Sequence, residues 1–165
     1  MSIIEILLNE IEQEAQTTRK MLSIVPNDKY DWKPHPKSMT LKHLATHIAE
    51  LPSWMSMGLT TDGLDFAANP YNPVDIDNTT DLLAYFEKCY AQGRADLEAT
   101  NEDILQQPWV LRNGYQILLN QNKYDTVRVS ISQTIHHRAQ LGVFLRLLDI
   151  PIPGSYGPSA DEMGM

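Results

Sequence analysis

Four of the chain's five histidines lie in two helix-like stretches, LKHLATHIAEL and ISQTIHHRAQL. Neutral imidazole is the commonest protein ligand for metal ions, and it also serves as a general acid or base near pH 7. His43 and His47 stand one helical turn apart, so they could share a metal ion on one side of a helix. His136 and His137 are adjacent and point about 100° apart, so only one of them can face a core.

Helical geometry separates these histidines further. At about 100° per residue, His47 lies roughly 80° from the centre of the apolar stripe of its helix, and His43 lies roughly 120° from it. On the later helix His137 lies roughly 80° from the stripe centre, whereas His136 is roughly opposite. We therefore expect His47 and His137 to border the core. They are either ligands of one metal site or core-edge side chains hydrogen-bonded to carbonyl or carboxylate groups.

Apolar residues recur every three or four positions in four long segments, which predicts four amphipathic helices. Ser2 and Glu5 have the spacing of a capping box at the start of the first helix. Thr79 or Thr80 is the expected cap of the third helix. The predicted helices run from about Ser2 to Ser23, from Thr40 to Leu59, from the Thr79 or Thr80 cap to Thr100, and from Tyr124 to Asp149.

These segments predict an all-α fold, an antiparallel-type four-helix bundle formed by residues 1–165 as a single domain. Asn113-Gly114 lies between two short apolar runs and predicts a small β-hairpin before the last helix. The loops after the first and third helices are about 16 and 24 residues long, longer than ordinary bundle turns. We expect them to be crossover connections or to cover one end of the bundle.

Composition excludes several classes of protein. The formal net charge of −8 disfavours a nucleic-acid binder, which needs a basic surface. No apolar run approaches the ~20 residues of a membrane-spanning helix. The N-terminus lacks the pattern of a signal peptide, and the lone Cys89 cannot form an internal disulfide, so we expect a cytoplasmic protein.

The stretches DWKPHPKSMTLKHLATHIAELP and HHRAQLGVFLRLLDIPIPGSYGPSADE resemble the DinB-like (DinB/YfiT-type) family of four-helix-bundle proteins. The resemblance implies a divalent metal, most often nickel or zinc, held by three histidines. The family's ligand on the second helix falls on His47, and its last ligand falls on His137, followed by Arg138. Its remaining histidine falls on position 133, which is Gln133 in this chain.

Gln133 is therefore the residue on which metal binding depends. It lies one turn before His137 on the same helix face, but an amide oxygen is a weaker ligand for zinc or nickel than imidazole. Trp54 and Tyr156 are candidates for lining a pocket near the metal, with ordinary packing as the alternative.

The resemblance leaves open whether the protein is an enzyme. One hypothesis is a metal-dependent thiol transferase or related hydrolase that uses a low-molecular-weight thiol and a small-molecule substrate. The alternative is a non-catalytic, metal-free dimeric bundle that binds a small ligand or a protein partner. A homodimer is expected in either case, because Val129, His136, Val143 and Leu147 form an apolar outer face on the last helix. Contact with the folded-back C-terminal tail is the other explanation of that face.

Overall fold

The computed structural model describes all 165 residues as five helices and three short strands. The four long helices start and end within a few residues of the predicted positions. A short helix before the hairpin and a first strand after the second long helix were not predicted. The helices are α1 (Ile3–Ser23), α2 (Leu41–Thr60), α3 (Thr79–Ala99), α4 (Glu102–Leu105) and α5 (Lys123–Leu147), and the strands are β1 (Gly63–Asp65), β2 (Pro108–Asn113) and β3 (Gln116–Asn122).

Side-chain caps fix the starts of the long helices. Ser2 and Glu5 form the expected capping box, and the Thr40 hydroxyl accepts a hydrogen bond from the His43 backbone N–H. The expected cap of α3 was wrong by one residue. Asn78 caps α3, because the Thr79 hydroxyl instead donates a hydrogen bond to the carbonyl of Val25 in the loop after α1.

The four long helices form a ring in the order α1, α3, α2, α5, with α1 diagonal to α2 and α3 diagonal to α5. The two loops expected to be crossovers, residues 24–40 and 100–122, make these diagonal connections. The prediction of an antiparallel bundle was wrong in part. Facing residues show that α2 runs antiparallel to α5 but parallel to α3, and that α1 is parallel to α5.

The segment between α2 and α3 makes this parallel arrangement possible. Helices α2 and α3 are each about 30 Å long, and a segment of 18 residues, 61–78, can return along that length because an extended chain reaches about 3.3 Å per residue. On its way back it contributes β1 and then contacts α2 through Tyr71 and Asp75. This return segment places Tyr71 beside Glu50 in the third turn of α2.

The predicted hairpin is present, with β2 antiparallel to β3 and Gly114 at φ +60° in its turn. The additional strand β1 pairs parallel to β2, which gives a sheet in the order β1-β2-β3. At Gly63 a side chain would bring its Cβ within 2.3 Å of the Val110 carbonyl oxygen, so only glycine allows this close pairing. A three-residue strand carries too little periodicity to be predicted from sequence.

The core lies between the four long helices and includes the fully buried Leu22, Leu41, Ile48, Phe86 and Leu141. On α3 the residues that recur every three or four positions are all buried: Leu82, Phe86, Cys89, Gly93 and Leu97. None of the helices has both the length and the apolar content that crossing a bilayer requires.

Candidate metal centre

The fold brings His47 of α2 and His137 of α5 into contact, with ring centroids 4.7 Å apart at an interplanar angle of 76°. Both side chains are partly buried at the edge of the core, whereas His43 and His136 are exposed. The helical geometry of the sequence therefore identified the correct member of each pair. The His136 ring contacts the outer side of the His137 ring at 4.9 Å.

Glu50 orients the His47 ring. Its carboxylate Oε1 lies 2.7 Å from His47 Nδ1, one helical turn along α2. A carboxylate only accepts hydrogen bonds, so Nδ1 carries the proton and Nε2 keeps its lone pair. A neutral histidine held in this way presents its Nε2 atom to a metal.

Glu50 is itself held by a second partner. The Tyr71 hydroxyl from the return segment donates a 2.5 Å hydrogen bond to Glu50 Oε1, and the Glu50 side chain is only 7% exposed. Burial of the hydroxyl and its bond to the carboxylate raise the pKa of Tyr71, so the phenol remains protonated and remains a donor. The Tyr71 hydroxyl and the His47 ring thus both donate to the same carboxylate oxygen of Glu50.

His137 has an equivalent arrangement on α5. Its Nδ1 lies 2.9 Å from Gln140 Oε1, which leaves Nε2 with a free lone pair. Burial lowers the pKa of His137, and the neighbouring His47 and His136 rings lower it further against the raising effect of Gln140. The neutral, metal-binding form of His137 is therefore favoured at neutral pH.

Two imidazoles with free Nε2 atoms are suitable donors for a divalent metal. Zinc–nitrogen bonds of about 2.0–2.1 Å require the two nitrogens to lie within about 4 Å of each other, which contacting rings can satisfy. No group of three His, Cys, Asp or Glu side chains lies close enough to bind a metal. Gln133 is partly buried and lies one turn before His137 on the same side of α5.

The two aromatic residues proposed from sequence have different surroundings. The Trp54 ring packs edge-on against His47 at 5.5 Å, beside the histidine pair. Tyr156 instead hydrogen-bonds to Glu14 and Arg138. Glu50 and Tyr71 were not predicted from the sequence. The helical spacing of His47 and Glu50 could have revealed the first, but no local pattern places the loop residue Tyr71 beside them.

Arg138 fixes α5 directly after His137. Its guanidinium is 2% exposed, lies 2.7 Å from a Glu14 carboxylate oxygen, and donates to the Glu14 carbonyl and the Thr18 hydroxyl of α1. The Tyr156 hydroxyl from the tail also accepts a hydrogen bond from it. This buried network fixes the orientation of α5 about its axis. It therefore also fixes the side of the helix from which the neighbouring His137 ring projects.

A groove runs from His137 between α5 and the loop before α2. It has a volume of about 320 Å³, and its apolar lining includes Met39, Leu44 and Phe144. Ser38 and Gln140 add polar groups, and no charged side chain lines it. Ligand sites of this size are typically lined in this way.

The outer face of α5 remains largely uncovered. The tail packs Ile152 near α5 and is tied to Arg146 through Asp161, yet Val143 and Leu147 are each 59% exposed. The tail therefore does not account for this apolar face. Whether a second subunit covers it stays a prediction.

Comparison with known proteins identifies relatives of the whole fold. A family-level comparison matches residues 1–164 to the DinB family. Among solved structures, a DinB-like protein of Bacillus subtilis superposes with a TM-score of 0.70 at 17% identity, covering 90% of this chain and 96% of that chain. No curated protein sequence matches the chain significantly.

Two further structures have functional descriptions. YfiT of Bacillus subtilis, described as a probable metal-dependent hydrolase with an unusual four-helix bundle topology, has a TM-score of 0.67 at 11% identity, with 92% and 91% of the two chains covered. A mycothiol-dependent maleylpyruvate isomerase has a TM-score of 0.58 at 16% identity, with 86% of this chain and 61% of that chain covered. At these identities the likeness shows a shared fold.

Proposed function

The chain belongs to the DinB family, and from this premise we propose that it is a metal-dependent enzyme that activates a low-molecular-weight thiol for transfer to a small molecule, or carries out a related hydrolysis. The proposed metal ligands are His47, Gln133 and His137. The observation that carries the proposal is the contact between two imidazoles whose Nδ1 atoms are both engaged and whose Nε2 atoms are both free.

The ligands suit nickel or zinc, because imidazole is a good donor for both metals. Such a metal lowers the pKa of a bound thiol or water and so supplies a nucleophile at neutral pH. The residues of this chain bind and orient the ion: Glu50 and Gln140 fix the two rings, and Gln133 contributes a neutral oxygen. Because an amide oxygen is a weaker donor to these metals than imidazole, we expect binding to be weaker than in a three-histidine site.

Two of the structural relatives support the proposal of a metal- and thiol-dependent enzyme. YfiT is described as a probable metal-dependent hydrolase, and the isomerase is described as dependent on a thiol, mycothiol. A cytoplasmic location follows from the proposal, since thiol pools are kept reduced there. We also propose that the protein is a homodimer.

The substrate is proposed to bind in the groove beside His137. Its uncharged, largely apolar lining favours a neutral molecule with an apolar portion, and His137 is the metal ligand exposed to it. Trp32 packs edge-on against Phe144 of the groove, with ring centroids 5.7 Å apart. Ligand binding should therefore change tryptophan fluorescence.

One observation favours the non-catalytic alternative. Gln133 stands where the family pattern has a histidine, and no third His, Cys, Asp or Glu completes the site. In this alternative the protein is a metal-free bundle that binds a small ligand or a protein partner through the same groove.

Calorimetric titration of the chelator-treated protein with Zn²⁺ and Ni²⁺ separates the two functions. The enzyme proposal predicts saturable binding of one ion per chain in the parent protein and none in His137→Ala. The alternative predicts no binding by the parent protein and strong binding only by Gln133→His. With metal bound, the consumption of thiol in the presence of a neutral electrophile then measures transferase activity.

A further inference from the structure

The edge strand β3 is the most unusual surface outside the candidate metal centre. It is the outer strand of the sheet, so its backbone N–H and C=O groups that face away from β2 have no partner strand. Such an edge is a template for another strand, and natural proteins usually blunt it with Lys, Pro or a covering loop. β3, with the sequence QILLNQN, contains neither Lys nor Pro.

The side chains of β3 are equally unprotected. Ile117, Leu118 and Leu119 are 62%, 46% and 37% exposed, and Tyr115 at the turn is fully exposed. The segment from Asn113 to Asn122 carries no charge in a chain in which 21% of residues are charged. This apolar, uncharged edge is therefore unlike the rest of the surface.

The two edges of the sheet differ. The opposite edge, β1, has three residues, and its Asp65 accepts from the Gly114 backbone N–H and pairs with Arg112. The bulge that leaves Leu118 unpaired increases the twist of β3, but Gln116–Asn122 stays extended throughout. Only β3 offers a run of free backbone groups long enough for strand addition.

We propose that β3 is the site at which a second copy of this chain binds, by antiparallel pairing of the two β3 strands about a two-fold axis. Each copy carries a net charge of −8, so an uncharged strand is the place where two copies can meet without direct like-charge repulsion. Two-fold pairing also brings the same apolar side chains together from both copies. Because β1 is too short to add a further strand, the pairing closes as a dimer and does not extend into a filament.

Light scattering coupled to size-exclusion chromatography tests the proposal on the whole chain. The parent protein should have twice the 18.7 kDa mass of one chain. Ile117→Lys puts a charge on β3 and should give the monomer mass, with an unchanged circular dichroism spectrum. Leu147→Lys is the matched control, since Leu147 is similarly exposed but lies on the outer face of α5.

Hydrogen exchange of the parent protein gives a second readout that needs no variant. Amides of Gln116–Asn122 that face away from β2 should become more protected as protein concentration rises, while amides in the outer turns of α5 should not. A monomeric parent protein would overturn the proposal. A dimer that survives Ile117→Lys but dissociates in Leu147→Lys would also overturn it and assign the interface to α5.

Discussion

Glu50 is the side chain on which the direction of His47 depends. Replacement by Ala removes the acceptor of the Nδ1 proton, so the ring can rotate away from the direction in which it presents Nε2. Loss of such a partner typically lowers metal affinity about 10–100-fold. We expect this loss of zinc affinity in Glu50→Ala, measured by competition with a chelating dye. Glu98→Ala on α3, far along the chain and exposed, is the control and should bind zinc like the parent.

We expect the residue at position 133 to determine the zinc affinity, measured by the same competition with a chelating dye. Gln133→His replaces a neutral amide oxygen with an imidazole that nickel and zinc prefer. The affinity should rise by at least about tenfold, given that even indirect partners of a ligand change it by this amount. Equal affinity in Gln133→His and the parent would mean that position 133 does not reach the metal.

The protonation of His137 gives the site its pH dependence. Its pKa is lowered below the usual value of about 6.5, mainly by burial, so the ring stays neutral at pH 7. Zinc affinity should be nearly constant above about pH 7 and should fall as the pH drops below about 6.5. The unfolded chain takes up this proton more readily than the folded protein, so the unfolding free energy of the metal-free protein should also decrease below about pH 6.5. Zinc titrations and urea melts at a series of pH values, from above about pH 7 to well below about pH 6.5, measure both effects.

For single residues, the sequence predicted which side chains lie on the inner face of a helix. It did not predict which loop residues contact them. The inward direction of His47 and His137 follows from about 100° per residue, and the structure agrees. Tyr71 was beyond prediction, because its position depends on how residues 61–78 return along α2. The role of Glu50 follows from the same helical spacing once His47 is known to be a site residue.

The contact between α2 and α3 depends on Gly93. A Cβ at this position would lie 2.3 Å from the carbonyl oxygen of Pro52, so the two helices would have to move apart. Overpacking of this kind typically costs about 1–3 kcal/mol. We expect Gly93→Ala to lower the unfolding free energy by this amount in urea denaturation. Gly157→Ala has no atom within 4 Å of the new Cβ and should be close to neutral.

The network around Arg138 joins α1, α5 and the tail. Arg138→Met leaves the Glu14 carboxylate partly buried without its cation, and breaking a buried ion pair typically costs about 3–5 kcal/mol. We expect that loss of stability in urea denaturation. Arg146→Met breaks the exposed pair with Asp161 and should have a much smaller effect. Similar losses in both variants would mean that the burial of Arg138 is not what matters.

For helices and strands, local sequence patterns predicted the helix starts, the buried helix faces and the hairpin turn. The capping box of α1, the four apolar stripes and the Asn113-Gly114 turn are all present. The directions of the helices were not encoded locally, because parallel α2 and α3 depend on the long return segment. Likewise β1 exists only because Gly63 allows its close approach to β2.

For the whole molecule, the order of the helices in the bundle explains why the candidate metal centre lies between α2 and α5. Because α2 and α5 are antiparallel neighbours, residues early in α2 meet residues late in α5, and this brings His47 to His137. The same neighbours leave the groove beside His137 open to solvent. The fold class followed from the sequence, whereas the meeting of these two histidines required the order of the helices.

We propose that this protein binds one divalent metal through His47, Gln133 and His137. Elemental analysis of protein purified without chelator tests this metal site, with His137→Ala purified in parallel. We expect close to one equivalent of nickel or zinc per chain in the parent and loss of that metal in the variant. A parent protein whose metal content is the same as that of His137→Ala would refute the proposed site.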